Sequence, residues 1–193
     1  MRFLLIATLR NEGTTLLEWL CHHQRIGFTD FLIYQNDSTD GTDSALQILS
    51  DIGVIKHFEN GTPPTRYERR AYRRASLEPE YAAADYVMAL DGDEFLQINT
   101  PEGDLPSLVR AVGEHDQIRI NWRLFGSAGF TGMTNSLITR RFRRAEPKEV
   151  VKNRLMSVKT LFRANKFRRP GIHVPREPLV DNWTSTNGSG ISE

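Results

Sequence analysis

The sequence predicts an α/β protein built around a parallel sheet, and three observations carry that prediction. Short, mostly apolar runs recur at residues 3–7, 31–34, 54–58 and 86–90. Runs of this kind suit strands covered on both faces. Between the first three lie segments with helical spacing, Leu16, Leu17 and Leu20 and then Ala45, Leu46, Ile48, Leu49 and Ile52, stopped by Gly27 and Gly53. The order strand, helix, strand, helix, strand implies right-handed crossovers and parallel pairing.

The remaining elements follow in order. Thr15 and Glu18 have the spacing of a capping box for the first helix. The loop 35–41 is rich in residues that bond their own backbone, with Ser38 or Asp40 as the cap of the second helix. After the Pro63-Pro64 break, 67–77 reads as a helix, 105–112 as another and 117–122 as a strand. Residues 136–142 and 157–162 are read as strands. Residues 182–193, rich in Ser, Thr, Gly and Asn, are read as a loose tail.

Composition narrows the class. The chain has 193 residues, of which 39% are hydrophobic and 25% charged, with a formal net charge of +1. That is too apolar and too neutral for a disordered tail. A single cysteine, Cys21, excludes an internal disulfide, favours a reducing compartment and is expected in the core. No apolar run approaches the roughly 18 residues that span a bilayer. The near-zero net charge conceals an asymmetry. Residues 75–139 sum to −7 and residues 140–169 to +10, while Arg66, Arg69, Arg70, Arg73 and Arg74 form a second basic cluster. Such stretches are either solvated faces or contacts for an anionic partner.

In an open α/β sheet, ligands bind at the carboxyl ends of the strands. Thr8, Arg10, Asn11 and Glu12 follow the first strand, residues 36–42 the second, and Asp91, Asp93 and Glu94 the fourth. Three carboxylates within four residues repel one another and call for a cation, and hard oxygen ligands suit Mg²⁺ or Mn²⁺. The same residues also make an acidic turn that needs no ligand. Cys21-His22-His23 looks metal-like, but adjacent helical residues splay by about 100° and cannot share one ion.

Four stretches resemble a known family. Arg10-Asn11-Glu12-Gly13 through Leu17-Glu18-Trp19, with His23 and Gly27, is the first. Asn36-Asp37-Ser38-Thr39-Asp40-Gly41-Thr42 is the second, and Ala89-Leu90-Asp91-Gly92-Asp93-Glu94-Phe95-Leu96 the third. Residues 122–129, followed by Lys159 and His173, make the fourth. In this order they resemble family 2 glycosyltransferases, in the branch related to family 92.

The resemblance implies a GT-A fold, a Rossmann-like mixed sheet flanked by helices. It implies one catalytic domain over 1–175, with a nucleotide-binding half at 1–98 and an acceptor and metal-completing half at 99–175, and a loose tail at 176–193. The implied activity is metal-dependent, inverting transfer of a sugar from a nucleotide-diphosphate sugar, UDP-sugars first, to the hydroxyl of a saccharide, lipid or protein acceptor. The cofactor is then Mn²⁺ or Mg²⁺. Asp93, Asp91 and His173 are the implied metal residues. Thr8, Arg10, Glu12, Asn36, Asp37, Asp91 and Lys159 line the donor pocket, with Lys159 or arginines of the basic stretch neutralising the diphosphate. Asp93 and Glu94 are the catalytic acids, with Glu94 as base or as an anchor of its turn; His115, Asp116 and Glu146 remain as other bases. The expected location is cytoplasmic, with peripheral contact at the inner face of a membrane. The alternatives are a nucleic-acid-binding protein using the basic stretch 140–169 or a catalytically inactive relative of the glycosyltransferases. Nucleic acid is the less favoured partner because no RNA-binding motif is present.

Overall fold

A computed structural model describes residues 1–61, 66–113, 115–127, 129, 131–132, 136–147 and 158–187. The Pro63-Pro64 break, Ala128 of the fourth resemblance stretch, residues 148–157 of the basic segment and residues 188–193 of the tail lie outside the described residues.

The first half alternates as expected: β1 (Phe3–Leu9), α1 (Leu16–Arg25), β2 (Asp30–Gln35), α2 (Thr42–Asp51), β3 (Lys56–Glu59), α3 (Tyr67–Ala75), α4 (Pro79–Ala83), β4 (Tyr86–Ala89) and α5 (Leu105–Val112). Then come β5 (Gln117–Asn121), β6 (Phe125–Gly126), α6 (Ile138–Arg141), β7 (Arg144–Ala145), β8 (Val158–Arg163), β9 (Phe167–Arg169), β10 (Arg176–Pro178) and β11 (Ser185–Asn187). The main sheet has seven strands in the order β11-β5-β8-β4-β1-β2-β3. β1 pairs in parallel with β2 and β4, and β2 with β3. β8 is the exception, antiparallel to both β4 and β5, so the sheet is mixed.

Side chains of β1 alternate between two cores, as the two-residue period of a strand requires. Phe3, Leu5, Ala7 and Leu9 meet α1, α2 and α5 through Leu16, Trp19, Leu46 and Leu105. Leu4 and Ile6 join Leu32 and Tyr34 on the other face, under Ala71, Tyr72 and Ala75 of α3 and Phe167 of β9. Helices therefore cover both faces.

Four local expectations are corrected. Residues 138–141 form one helical turn, not a strand. The Thr15–Glu18 capping box does not form: Thr15 donates to Glu12, and Glu18 accepts from the Ile138 and Thr139 amides and the Thr139 hydroxyl. Those otherwise unpartnered amides at the start of α6 attract a carboxylate more strongly than α1 can hold it. Cys21 is exposed, because α1 turns Leu16, Trp19, Leu20 and His23 inward and Cys21 lies on the opposite side. Residues 176–187 are not a loose tail: β10 pairs with β9, and β11 adds a parallel edge strand beside β5, with Thr184 bonded to Asp116.

Truncating Leu32, fully buried in the centre of the sheet, should lower unfolding free energy by about 2–5 kcal/mol as Leu32→Ala. Ile48→Ala, on the exposed side of α2, should change it by no more than about 0.5 kcal/mol in the same urea titration.

Candidate functional site

Because β1 to β4 run in parallel, their carboxyl ends share one rim, and the loops that follow them meet there. The loops after β1 and β2 are laced together. Asn11 N–H donates to the Ser38 hydroxyl (3.1 Å), Glu12 N–H to Thr42 Oγ1 (2.9 Å) and Gly13 N–H to Asp40 Oδ2 (3.0 Å), while Asn11 Oδ1 accepts from Thr39 N–H (2.8 Å). Each loop holds one residue in the left-handed region, Asn11 (φ 57°) and Asp37 (φ 47°), and Asn and Asp tolerate it better than other side chains. Asp40 does not act as a simple cap: its carboxylate holds the Thr42 amide and hydroxyl together with Gly13, bonds that keep it below the usual carboxylate range.

Asn36 is placed at the rim but turned into it. It is buried, donates toward the Leu9 carbonyl (3.4 Å) and accepts from Asn60 Nδ2 (2.8 Å), which also donates to the Tyr67 carbonyl (3.0 Å). These amides tie β1, β2, the end of β3 and the start of α3 into one polar strut. Thr8 is half-buried, whereas Arg10 and Asp37 are exposed at the rim surface.

The acidic turn after β4 is held from three directions. Trp19 Nε1 donates to the carbonyls of Asp91 (3.1 Å) and Glu94 (2.9 Å). His22 Nε2 donates to the Leu96 carbonyl (2.8 Å), and His23 donates from Nδ1 to the Trp19 carbonyl (2.8 Å) while its Nε2 accepts from Leu96 N–H (3.3 Å). Residues 19, 22 and 23 stand on one helical face, so α1 clamps the turn from below. Gly92 is required by close approach: a Cβ there would lie 2.8 Å from Leu9 Cδ2 and 3.0 Å from Glu12 Cγ.

The third hold is Lys159. β8 runs antiparallel to β4, so its first residues lie past the carboxyl end of β4. The Lys159 ammonium, on a side chain only 3% exposed, meets Asp91 Oδ2 at 2.9 Å and Glu94 Oε2 at 3.1 Å, and sits 5.9 Å from the centre of the Trp122 ring. Glu94 Oε2 also accepts the Asp91 N–H (3.0 Å). Burial pushes the Glu94 carboxyl above its usual range, and Lys159 and the Asp91 amide pull it back. The geometry makes Glu94 the anchor of its turn, and Lys159 an internal counter-ion.

Two residues beyond Asp91, Asp93 is exposed and has no hydrogen bond or ion pair among the described residues. Its charge and that of Asp40 join burial in raising the Glu12 carboxyl, with burial the largest cause. Among the described residues the rim thus keeps an unpaired carboxylate beside two that share one ammonium. Tyr72 lies below, fully buried, its hydroxyl without a hydrogen-bond partner among the described residues. Burial, with Asp91, Glu68 and Glu94 nearby, holds its proton far above the usual phenol range.

Among the described residues, no group of three His, Cys, Asp or Glu side chains is gathered closely enough to hold a metal by itself. His173 is oriented as ligating histidines are, with Nδ1 on the Val158 carbonyl (3.1 Å) and Nε2 left to accept. Its ring packs edge-on against Trp122 at 5.5 Å, and Trp122 also borders Lys159. The donor chemistry still fits a hard divalent ion. Such ions bound with nucleotides take one or two carboxylates and complete their shell with phosphate and water. Asp93 and the second oxygen of Asp91 are the carboxylates the turn offers for this.

Two of the other base candidates are removed by topology. β5 is antiparallel to β8 and so parallel to β4, which places His115 and Asp116, just before it, at the opposite edge of the sheet. Asp116 is bonded there to Thr184 and Lys166. Two concavities among the described residues also lie away from the rim, one between α1 and residues 96–103 and one beside Met1 and Asp85.

Over the described residues 158–169, the basic stretch is dispersed by folding. Lys159 turns inward, Arg163 lies over the Tyr86 ring, Lys166 pairs with Asp116, and Arg168 and Arg169 pair with Glu177.

The model of glycosyltransferase family 92 matches residues 6–188. The chain belongs to glycosyltransferase family 92. The sequence resemblance pointed to family 2 with a family 92 relation, and the match is to family 92 itself. A family 92 protein of Ricinus communis is 25% identical over 126 residues, 63% of this chain and 22% of its own length. One of Arabidopsis thaliana is 24% identical over 177 residues, 83% of this chain and 30% of its own length. The chain therefore spans less than a third of these relatives. Among solved structures, S. aureus TarS aligns with a TM-score of 0.50 at 15% identity, over 85% of this chain and 28% of TarS. The fold is the GT-A fold, a mixed sheet with helices on both faces.

His23 gives a pH prediction. Burial pushes it down to about 3 from 6.5. The unfolded chain takes up the proton first, so the contribution of His23 is complete above pH 6.5. It is lost as pH falls toward 3, by about 1.4 kcal/mol per pH unit. In NMR titrations the His23 ring should remain neutral down to about pH 4; protonation near pH 6 would refute the assignment.

Proposed function

We propose that this chain is the donor-binding part of a glycosyltransferase that moves a sugar from a nucleoside-diphosphate sugar, a UDP-sugar foremost, to an acceptor hydroxyl with Mn²⁺ or Mg²⁺ as cofactor. The observation that carries the reading is the unequal state of two neighbouring acids: Asp91 is fixed by the buried Lys159, and Asp93 stands exposed and without a partner among the described residues. Family membership and the GT-A fold support it.

The laced loops after β1 and β2 give the nucleotide a preorganised floor, with Thr8, Glu12 and Asp37 at its margin and Asn36 acting from within as a strut. Arg10, exposed at the same rim, attracts the diphosphate. A bound divalent ion supplies neutralisation of the diphosphate and of the charge on the departing nucleoside diphosphate. Asp93 and Asp91 would hold it with phosphate and water completing its shell, since His173 is not gathered with them among the described residues. Lys159 holds Asp91 in place rather than touching the diphosphate itself.

Transfer by single displacement inverts the anomeric carbon. The acceptor oxygen forms its bond to that carbon while the bond to phosphate oxygen breaks, the electron pair leaves with the nucleoside diphosphate, and the hydroxyl proton passes to a base. Glu94 is occupied by Lys159 and the Asp91 amide, so it positions the turn. Asp93 is the carboxylate of the turn free to meet a ligand.

UDP with Mn²⁺ should raise the Tm of this chain, while either alone does little. Asp93→Ala should abolish most of that rise with the ligand-free Tm nearly unchanged, because Asp93 makes no hydrogen bond or ion pair among the described residues. Absence of any metal-dependent response to nucleoside diphosphates would overturn the reading.

A further inference from the structure

We propose that the outer face of α3 together with the β9–β10 hairpin docks on an anionic lipid surface. The inference is independent of the donor-site reading and rests on the part of the basic charge that the site does not use.

On α3, Ala71, Tyr72 and Ala75 face the core. Arg66, Arg69, Arg70 and Arg73 recur at the spacing of the opposite stripe, and all four are exposed. None has an ion pair among the described residues. β9 packs beside α3 in the same core through Phe167, and it carries Arg168 and Arg169, with Arg176 opposite on β10. Among the described residues Glu177 is the carboxylate that pairs with this group, and the exposed Asp181 is the other acid on the same segment. Glu177 lies 2.7 Å from Arg169 and 3.6 Å from Arg168, and Arg73 acts on it as well. The guanidinium excess is therefore built by two elements that are distant in sequence.

Apolar side chains stand among these cations. Leu77, one turn beyond Arg73 on the same stripe, is 81% exposed. Leu179 follows β10 directly, is 50% exposed, and is held by its amide on the Lys166 carbonyl. Trp183 rests edge-on against Phe167 and remains 37% exposed. Arginines on a face with exposed leucines and a tryptophan match both parts of a bilayer surface: guanidinium to lipid phosphate, and apolar tips to the acyl boundary. Single-stranded nucleic acid would use flat aromatic platforms between the cations and has no use for Leu77 and Leu179. The face adjoins the rim, since Asn60 bonds the first residue of α3. Docking would thus hold the donor site close to the lipid surface.

The test is co-sedimentation of the full chain with phosphatidylcholine vesicles with and without roughly a third phosphatidylserine, in low and in physiological salt. Binding is expected only to the anionic vesicles and should weaken with salt. The variant Arg69→Glu/Arg73→Glu should lower the partition coefficient at least about tenfold, and Leu77→Ser/Leu179→Ser should lower it several-fold, with circular dichroism and Tm unchanged in both. Binding that is equal on neutral vesicles, or absent from both, overturns the proposal. So does binding unaffected by either variant, or tighter binding to a single-stranded RNA oligonucleotide than to anionic vesicles. The Tm response to UDP and Mn²⁺ in the arginine variant keeps this outcome separate from failure of the donor site.

Discussion

The ammonium of Lys159, buried between Asp91 and Glu94, is the contact on which the rest of the site depends. Without it, two carboxylates three residues apart would repel each other at the end of a buried strand, and the buried Glu94 carboxyl would lose the charge that offsets its burial. With it, β4 and the incoming β8 are joined at the level where ligands reach an α/β sheet. A buried ion pair is costly to desolvate and adds little net stability compared with an apolar pair, so its retention points to positioning. Here it fixes two acids of the turn, while Asp93 between them has no partner among the described residues.

The surroundings are arranged to make that division of labour rigid. Trp19, His22 and His23 hold the backbone of the turn from α1, and Gly92 admits the close packing of Leu9 and Glu12 against it. The neighbouring loops are bonded to each other through side chains to backbone amides, so the rim is shaped before any ligand arrives. Preorganisation of this kind lowers the cost of binding. Among the described residues, the basic charge of the two sequence clusters is divided in the fold into an internal counter-ion, structural ion pairs and an outward-facing arginine surface.

Much of this was legible in the sequence where the signal is local. The apolar runs at 3–7, 31–34 and 86–90 and the helical spacing around Leu46 and Leu108 mark buried strands and amphipathic helices without any knowledge of partners. Placing Asp91, Asp93 and the loops after β1 and β2 on one rim followed from parallel topology alone. What escaped was carried by partners far apart in the chain. Lys159 meets Asp91 across 68 residues, and Glu18 caps a helical turn 120 residues away rather than its own helix. The brackets made by Trp19, His22 and His23 left a trace, spacing of i, i+3 and i+4 on one helix, but no sign of what they hold. β10 and β11 escaped because short, exposed edge strands need no apolar period.

The account is tested most directly by a double-mutant cycle on Lys159→Met and Glu94→Gln, read by urea unfolding at neutral pH. If the ammonium organises the turn, each single substitution destabilises the fold and the pair together costs clearly less than their sum, with a coupling of at least about 1.5 kcal/mol. Additive effects, with a coupling within about 0.5 kcal/mol of zero, would contradict it.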